Sequence, residues 1–107
     1  MTRRAAALHR WDAIDLERVT EMVTRKVIAG TRYVLVQSYL KKGALIPVHA
    51  HEGEQLIYVL QGALRTVVDG AEVTVREGEV LQIPSGVAHQ AEALDDTFVL
   101  DVRSPED

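Results

Sequence analysis

Six of the seven glycines, Gly43, Gly53, Gly62, Gly70, Gly78 and Gly86, recur every eight to ten residues. The stretches between them are rich in Val, Ile, Leu, Thr and Tyr. Punctuation at this interval leaves room only for short strands joined by tight turns, the pattern of an all-β antiparallel fold. Asp69-Gly70, set between TVV and AEVTV, is the strongest hairpin signal of the chain, because a two-residue hairpin turn requires positive φ. Strands are expected at 25–29, 31–41, 44–51, 55–61, 63–69, 72–76, 79–83, 88–94 and 97–103. Pro47 and Pro84 fall inside strand-like stretches, where a missing N–H is tolerated at an edge or a bulge, and both read as strand bends.

Helix is nearly absent. Ala13 to Val23 carries Ile14, Leu16, Val19 and Val23 in loose helical spacing, but its β-branched content suits an extended arm equally well. The reading is an N-terminal arm over 1–24, with Thr2 to Arg10 contacting a partner or moving freely, and one β-barrel domain over 25–107. A chain of 107 residues holds one hydrophobic core. No internal repeat or linker interrupts it. The 47% hydrophobic and 26% charged composition is that of a folded globular protein.

Charge and composition remove several function classes. A net charge of -4 offers no basic surface for a phosphate backbone, so nucleic acid is not an expected partner. No apolar run reaches the roughly 20 residues of a membrane span, and Met1 to Trp11 lacks the apolar stretch of a signal peptide, so a cytoplasmic location is expected. The chain has no cysteine, so any bound metal is held by nitrogen or oxygen.

The chemistry-bearing residues are concentrated in a few places. His49 and His51 lie two apart in an extended segment, which projects both imidazoles from one face. Gln55 opens the next strand across a turn at Gly53 and can return to that face, and His89 begins a later strand. Three of the four histidines are thereby gathered, leaving His9 in the arm. Glu54 and Gln55 fall on opposite faces of a period-two strand, so only one of them can join the cluster.

These residues resemble the cupin family, whose two motifs read G-x5-H-x-H-x3,4-E-x6-G and G-x5-P-x-G-x2-H-x3-N. Here the first runs Gly43, His49, His51, Gln55, Gly62 and the second Gly78, Pro84, Gly86, His89, with fifteen residues between Gly62 and Gly78. The resemblance implies an all-β cupin barrel, a jelly-roll-like double-stranded β-helix. It also implies one divalent transition metal per chain, Ni, Zn, Fe, Mn, Co or Cu, held by His49, His51, Gln55 and His89. The sequence departs from the family pattern in two places, with Gln55 where glutamate is usual and Ala93 where the second motif ends in asparagine. The count back from Gly62 selects Gln55 over Glu54. The subgroup written HxHxxEQ, as His49 to Gln55 are here, takes the glutamine oxygen as fourth ligand. A site of neutral ligands keeps the full +2 charge of its metal and is the stronger Lewis acid.

The phrases EQLIYVLQG and FVLDVRSPED are similar to small cupins of pectin and alginate breakdown that open unsaturated monouronates. In that group an aspartate and an aromatic residue of the last strand face the metal. Asp101 matches the first, and Arg103 stands in the place of the second. The resemblance implies catalytic roles for these two residues, Asp101 moving a proton and Arg103 pairing with a substrate carboxylate. The expected function is an isomerase, ring-opening or lyase reaction on a small sugar-derived or carbonyl substrate. An iron or copper dioxygenase and a non-catalytic binding module are the alternatives.

Alternation continued from the histidine pair turns Leu45, Pro47, Ile57 and Val59 toward the same interior. The next strand to place, 31–41, offers Tyr33, Leu35, Gln37 and Tyr39 on one face and Val34, Val36, Ser38 and Leu40 on the other. Alternation does not decide which face lines the cavity; Gln37 and Tyr39, with Ile57 and Val59, are the pocket candidates, and a dimer face is the alternative for Gln37 and Tyr39. Small cupins are commonly homodimers, and Ile14, Leu16, Val19 and Val23 suit an arm packed on a partner.

Overall fold

Asp69 and Gly70 adopt φ values of 49° and 80°. The turn they make joins Ala63–Val68 (β6) to Ala71–Arg76 (β7) in a hairpin that pairs Val68 with Ala71, as the Asp-Gly dipeptide predicts. The computed structural model describes residues 5–105. The remaining strands are Glu17–Thr20 (β1), Val23–Ala29 (β2), Val34–Leu40 (β3), Leu45–His49 (β4), Gln55–Gln61 (β5), Val80–Ile83 (β8), His89–Ala93 (β9) and Thr97–Arg103 (β10). They form two antiparallel sheets, one in the order β1-β2-β3-β10-β5-β8 and the other in the order β4-β9-β6-β7.

Four of the positive-φ glycines, Gly43, Gly62, Gly78 and Gly86, lie where the chain leaves one sheet for the other. Gly62 shows the constraint most sharply. Its φ is 90°, and a Cβ built there would stand 2.5 Å from the Asp96 carbonyl oxygen. Only glycine lets β5 hand over to β6 against the turn before β10. The sequence interval therefore marks sheet crossings as well as turns.

The alternation expected of half-buried strands is cleanest in β5. Gln55, Ile57 and Val59 are buried while Leu56 and Tyr58 are exposed. In β10, Thr97, Val99 and Asp101 turn inward. The core packs Val23, Leu40, Ile57, Val59, Leu64, Val75, Ile83 and Val99 between the sheets. Ala93, where the family motif ends in asparagine, is buried among them.

The N-terminal segment resolves in favour of the extended alternative. Trp11–Ala13 makes a single 3-10 turn, and β1 then pairs antiparallel with β2. The expected boundary between residues 24 and 25 falls inside β2, which is hydrogen-bonded along its length to β3. Val23 is 6% exposed and belongs to the core of its own chain, so it is unavailable as an arm contact. The part of the arm at residues 1–4 lies outside the described residues.

Pro47 sits where β4 changes register. Leu45 pairs with Glu92, Ile46 with Ala91, and His49 with His89, so β4 carries one residue more than β9 over this stretch. That bulge reverses the parity of β4, as one extra residue must. The expectation that Leu45 and Pro47 face the interior is corrected: both are exposed, and Ile46 turns inward instead. Pro84 directly follows β8 and ends it.

Candidate metal centre

The bulge in β4 also places the histidines. His49 closes β4 directly opposite His89, the first residue of β9, and the two rings lie 4.2 Å apart by centroid. His51 follows in the connection to β5, its ring 5.1 Å from that of His89 and 5.6 Å from that of His49. One ligating nitrogen from each ring falls within 4.8 Å of the others, a spacing at which the three could hold one metal ion.

The backbone sets the tautomers. Each Nδ1 sits 2.9 Å from a carbonyl oxygen two residues away, His49 at Pro47, His51 at Gly53 and His89 at Val87. A carbonyl can only accept, so each Nδ1 carries the hydrogen and, in the neutral ring, each Nε2 presents a lone pair. Fixing the ring through its outer nitrogen is how proteins orient metal-binding imidazoles. Burial lowers the pKa of His89; the hydrogen bond to the Val87 carbonyl opposes it, and the neighbouring His49 and His51 add smaller lowering effects. His89 therefore favours the uncharged, lone-pair form.

Gln55, 5% exposed, is the first residue of β5 and reaches the same cluster. Its Nε2 donates to Asp101 Oδ2 at 2.8 Å, which identifies the other amide atom as oxygen. That Oε1 lies 3.0 Å from His51 Nε2. With the hydrogen of His51 committed to the Gly53 carbonyl, two lone pairs face each other, an arrangement that a cation between them would satisfy. His89 Nε2 and Asp101 Oδ1 are buried polar atoms without a hydrogen-bond partner among the described residues. Leaving such atoms unpaired costs about 1–3 kcal/mol each. The donor set of three imidazole nitrogens with an amide oxygen beside them fits a divalent transition metal. Glu54 points to the other face, where its Oε2 accepts from Gln82 Nε2 at 2.5 Å.

Behind the histidines lies a cavity of about 230 Å³ between the sheets. His49, His89, Gln55, Asp101, Arg103 and Arg25 supply its main polar groups, and Val19, Val23, Leu40, Ile46, Ile57, Leu64 and Val99 its apolar wall. Burial pushes the Asp101 carboxyl above its ordinary range, opposed by the smaller effects of Arg103, the Gln55 hydrogen bond, His51 and His49.

Asp101, Arg103 and Ile57 line the cavity, while Val59 is fully buried in the core beside it. Gln37 and Tyr39 are corrected: Val36, Ser38 and Leu40 line the cavity from β3, which leaves Gln37 and Tyr39 on the outer face of the sheet. Alternation alone left the inward face of β3 open, and the pairing of β3 between β2 and β10 decides it. Arg25 was missed because β2 read as the start of the barrel rather than as a wall of the site. Its alternation with Val23 and Val27 was the available signal.

A two-sheet antiparallel barrel with three convergent histidines between its sheets defines a β-barrel protein with a candidate metal centre. The chain belongs to the cupin family, since the Cupin domain model matches residues 36–102. Among solved structures, KdgF from Halomonas sp. is similar at 27% identity over 96% of each chain, with a TM-score of 0.88. A predicted oxalate decarboxylase from Thermotoga maritima matches at 21% identity over 92% of this chain and 98% of its own, with a TM-score of 0.81. A salicylate 1,2-dioxygenase from Pseudaminobacter salicylatoxidans matches at 15% identity over 79% of this chain and 27% of its own, with a TM-score of 0.75. The latter two show the fold alone. No curated protein matches the sequence.

Proposed function

We propose that this cupin is a metal-dependent enzyme that moves a proton on a small sugar-derived or carbonyl substrate, in an isomerase, ring-opening or lyase reaction. The observation that carries the reading is the chain of contacts from His51 Nε2 to Gln55 Oε1 at 3.0 Å and from Gln55 Nε2 to Asp101 Oδ2 at 2.8 Å. One side chain thereby couples the histidine cluster to a buried acid. Nε2 of His49, His51 and His89 and Oε1 of Gln55 would hold the metal, Ni, Zn, Fe, Mn, Co or Cu. A divalent ion in this neutral donor set supplies a Lewis acid whose charge its ligands do not offset.

The remaining work falls to the protein's own groups. Gln55 fixes Asp101 through Oδ2, leaving Oδ1 as the oxygen that takes and returns the proton. Burial brings this carboxyl closer to working pH, where a general base is most effective. Arg103, two residues along β10 on the same face, pairs with a substrate carboxylate. The apolar wall excludes water from the reacting end. Similarity to KdgF over nearly the whole chain supports the assignment.

The protein is proposed to work in the cytoplasm as a homodimer. Tyr39, Leu56, Tyr58 and Val80 are exposed on the outer face of the six-stranded sheet, an apolar surface suited to a second copy. Light scattering tests this, with a monomer counting against it.

The function is tested by turnover of small hydroxy-aldehyde and unsaturated uronate substrates by metal-loaded protein under nitrogen. Activity lost in Asp101→Asn at unchanged metal content supports the assignment. Dependence on oxygen would replace it with a dioxygenase, and unchanged turnover in the variant would remove Asp101 from the reaction.

A further inference from the structure

The protein is acidic overall, with a net charge of -4, yet two arginines line its central cavity against one carboxylate, Asp101. They come from different strands. Arg103 stands on β10, and Arg25 stands on β2, two strands away across β3. The registers place Arg25 beside Ser38 and Ser38 beside Val99, one inward row from Asp101. Arg25 thus occupies the cavity wall beyond the end at which the histidines gather.

Its guanidinium is held, among the described residues, only by one long ion pair. Among the described residues the sole charged contact of Arg25 is Glu17 on the neighbouring β1, at 3.6 Å from Nη2, too long for a hydrogen bond. Its Nε is shielded from solvent and has no hydrogen-bond partner. Arg103 likewise makes no side-chain hydrogen bond among the described residues. A buried N–H without an acceptor is costly, and an arginine held only by a long ion pair has donors left for a ligand. Arg65 shows the contrast. It serves the surface, where Glu72 and Glu92 engage it at 2.8 and 3.4 Å.

We propose that Arg25 is a specificity-determining residue that binds the carboxylate of a short polyhydroxy acid whose other oxygens lie toward Gln55 and Asp101. The proposal rests on the functional reading above and deepens it by naming the ligand class. Neighbouring strands stand about 4.8 Å apart and successive inward rows about 6.8 Å apart, so the two ends of the site suit opposite ends of one short carbon chain. Ser38, between Arg25 and Val99 in the register, offers a hydroxyl along that path. Arg25 takes this carboxylate through its planar fork, while Arg103, which pairs in register with Gln55 two inward rows from Val99, stands at the opposite end of the site.

The experiment is a titration of the metal-free protein, followed by the side-chain Nε–H resonance of Arg25 in 15N spectra. D-gluconate is the probe and its neutral counterpart D-glucitol the control. That resonance is identified by its absence from Arg25→Lys. The expected result is a saturable shift with gluconate and none with glucitol. Arg25→Gln should weaken gluconate binding by about tenfold or more and Arg25→Lys by less, since lysine keeps the charge and loses the fork. An equal response to both probes, no response of the Arg25 resonance, or equal affinity in Arg25→Gln would overturn the proposal. If Arg25→Gln does not fold, Arg25→Lys and the wild-type resonance decide the matter. Because no metal is present, failure here leaves the metal-centre reading intact. Failure of metal binding, measured separately, leaves the carboxylate result standing.

Discussion

Replacing Gln55 by glutamate restores the residue usual in the family motif and, in this chain, sets a second carboxylate against Asp101. The contact it inherits is 2.8 Å, between residues that are 5% and 9% exposed. Two unit charges at that distance repel by about 6 kcal/mol at an effective dielectric of about 20. The pair has a less costly alternative, which is to share one proton. Holding a glutamate of ordinary pKa near 4.3 protonated at pH 7 costs about 1.36 kcal/mol per unit, or about 3.7 kcal/mol. Protonation therefore wins, and metal-free Gln55→Glu should lose about 3–4 kcal/mol of stability at pH 7 relative to wild type. The pair's pKa is raised in the folded state, so the protonated folded form is favoured and the deficit shrinks as pH falls toward the unfolded value. Urea unfolding of both metal-free proteins at pH 7 and pH 5 measures it. A deficit of equal size at the two pH values would refute the reasoning, because it would mean that the two carboxyls do not meet.

Asp101→Asn should stabilise the metal-free protein at pH 7. The folded-state pKa of Asp101 is raised, so its ionised form opposes folding as pH rises through that value, and the difference should vanish in acid. The same change should lower turnover by about 10²–10⁴-fold, the usual worth of a positioned general base. His89→Ala should reduce retained metal, read by elemental analysis after dialysis, by more than the 10–100-fold typical of losing an outer partner. The lowered pKa of His89 keeps its nitrogen unprotonated further into acid than an ordinary imidazole, so in wild type this ligand should be among the last lost to protons. Gly62→Ala combines a φ of 90° with a Cβ placed 2.5 Å from the Asp96 carbonyl oxygen, and should cost about 2–3 kcal/mol or more in thermal unfolding.

The order and approximate limits of most strands were legible because they depend on local chemistry. Glycines recur where φ must be positive, Asp69-Gly70 dictates its hairpin, and β-branched residues fill the intervals. The histidine cluster was legible for a related reason, since His49, His51, Gln55 and His89 keep fixed counts from glycines that mark the sheet crossings. The inward facing of Asp101 and Arg103 was implied by the family resemblance, and the period of two along β10 accounts for their shared face.

What failed were the inferences that carried a period of two through the bulge in β4 or chose between the two faces of β3. Leu45 and Pro47 face outward because one extra residue in β4 reverses parity between Ile46 and His49, and only the pairing with β9 reveals it. Gln37 and Tyr39 lie outside because β3 is sandwiched between β2 and β10, whose inward residues set the buried side. Arg25 entered the cavity through β2, whose pairing with β3 sets which of its residues face inward. Turn chemistry and the counts from the histidines to nearby glycines are local properties, so the sequence by itself determined the strand rhythm and the gathering of the three histidines. Register and facing are decided by pairings between residues far apart in the chain, so the shape and charge of the cavity belonged to the tertiary structure alone.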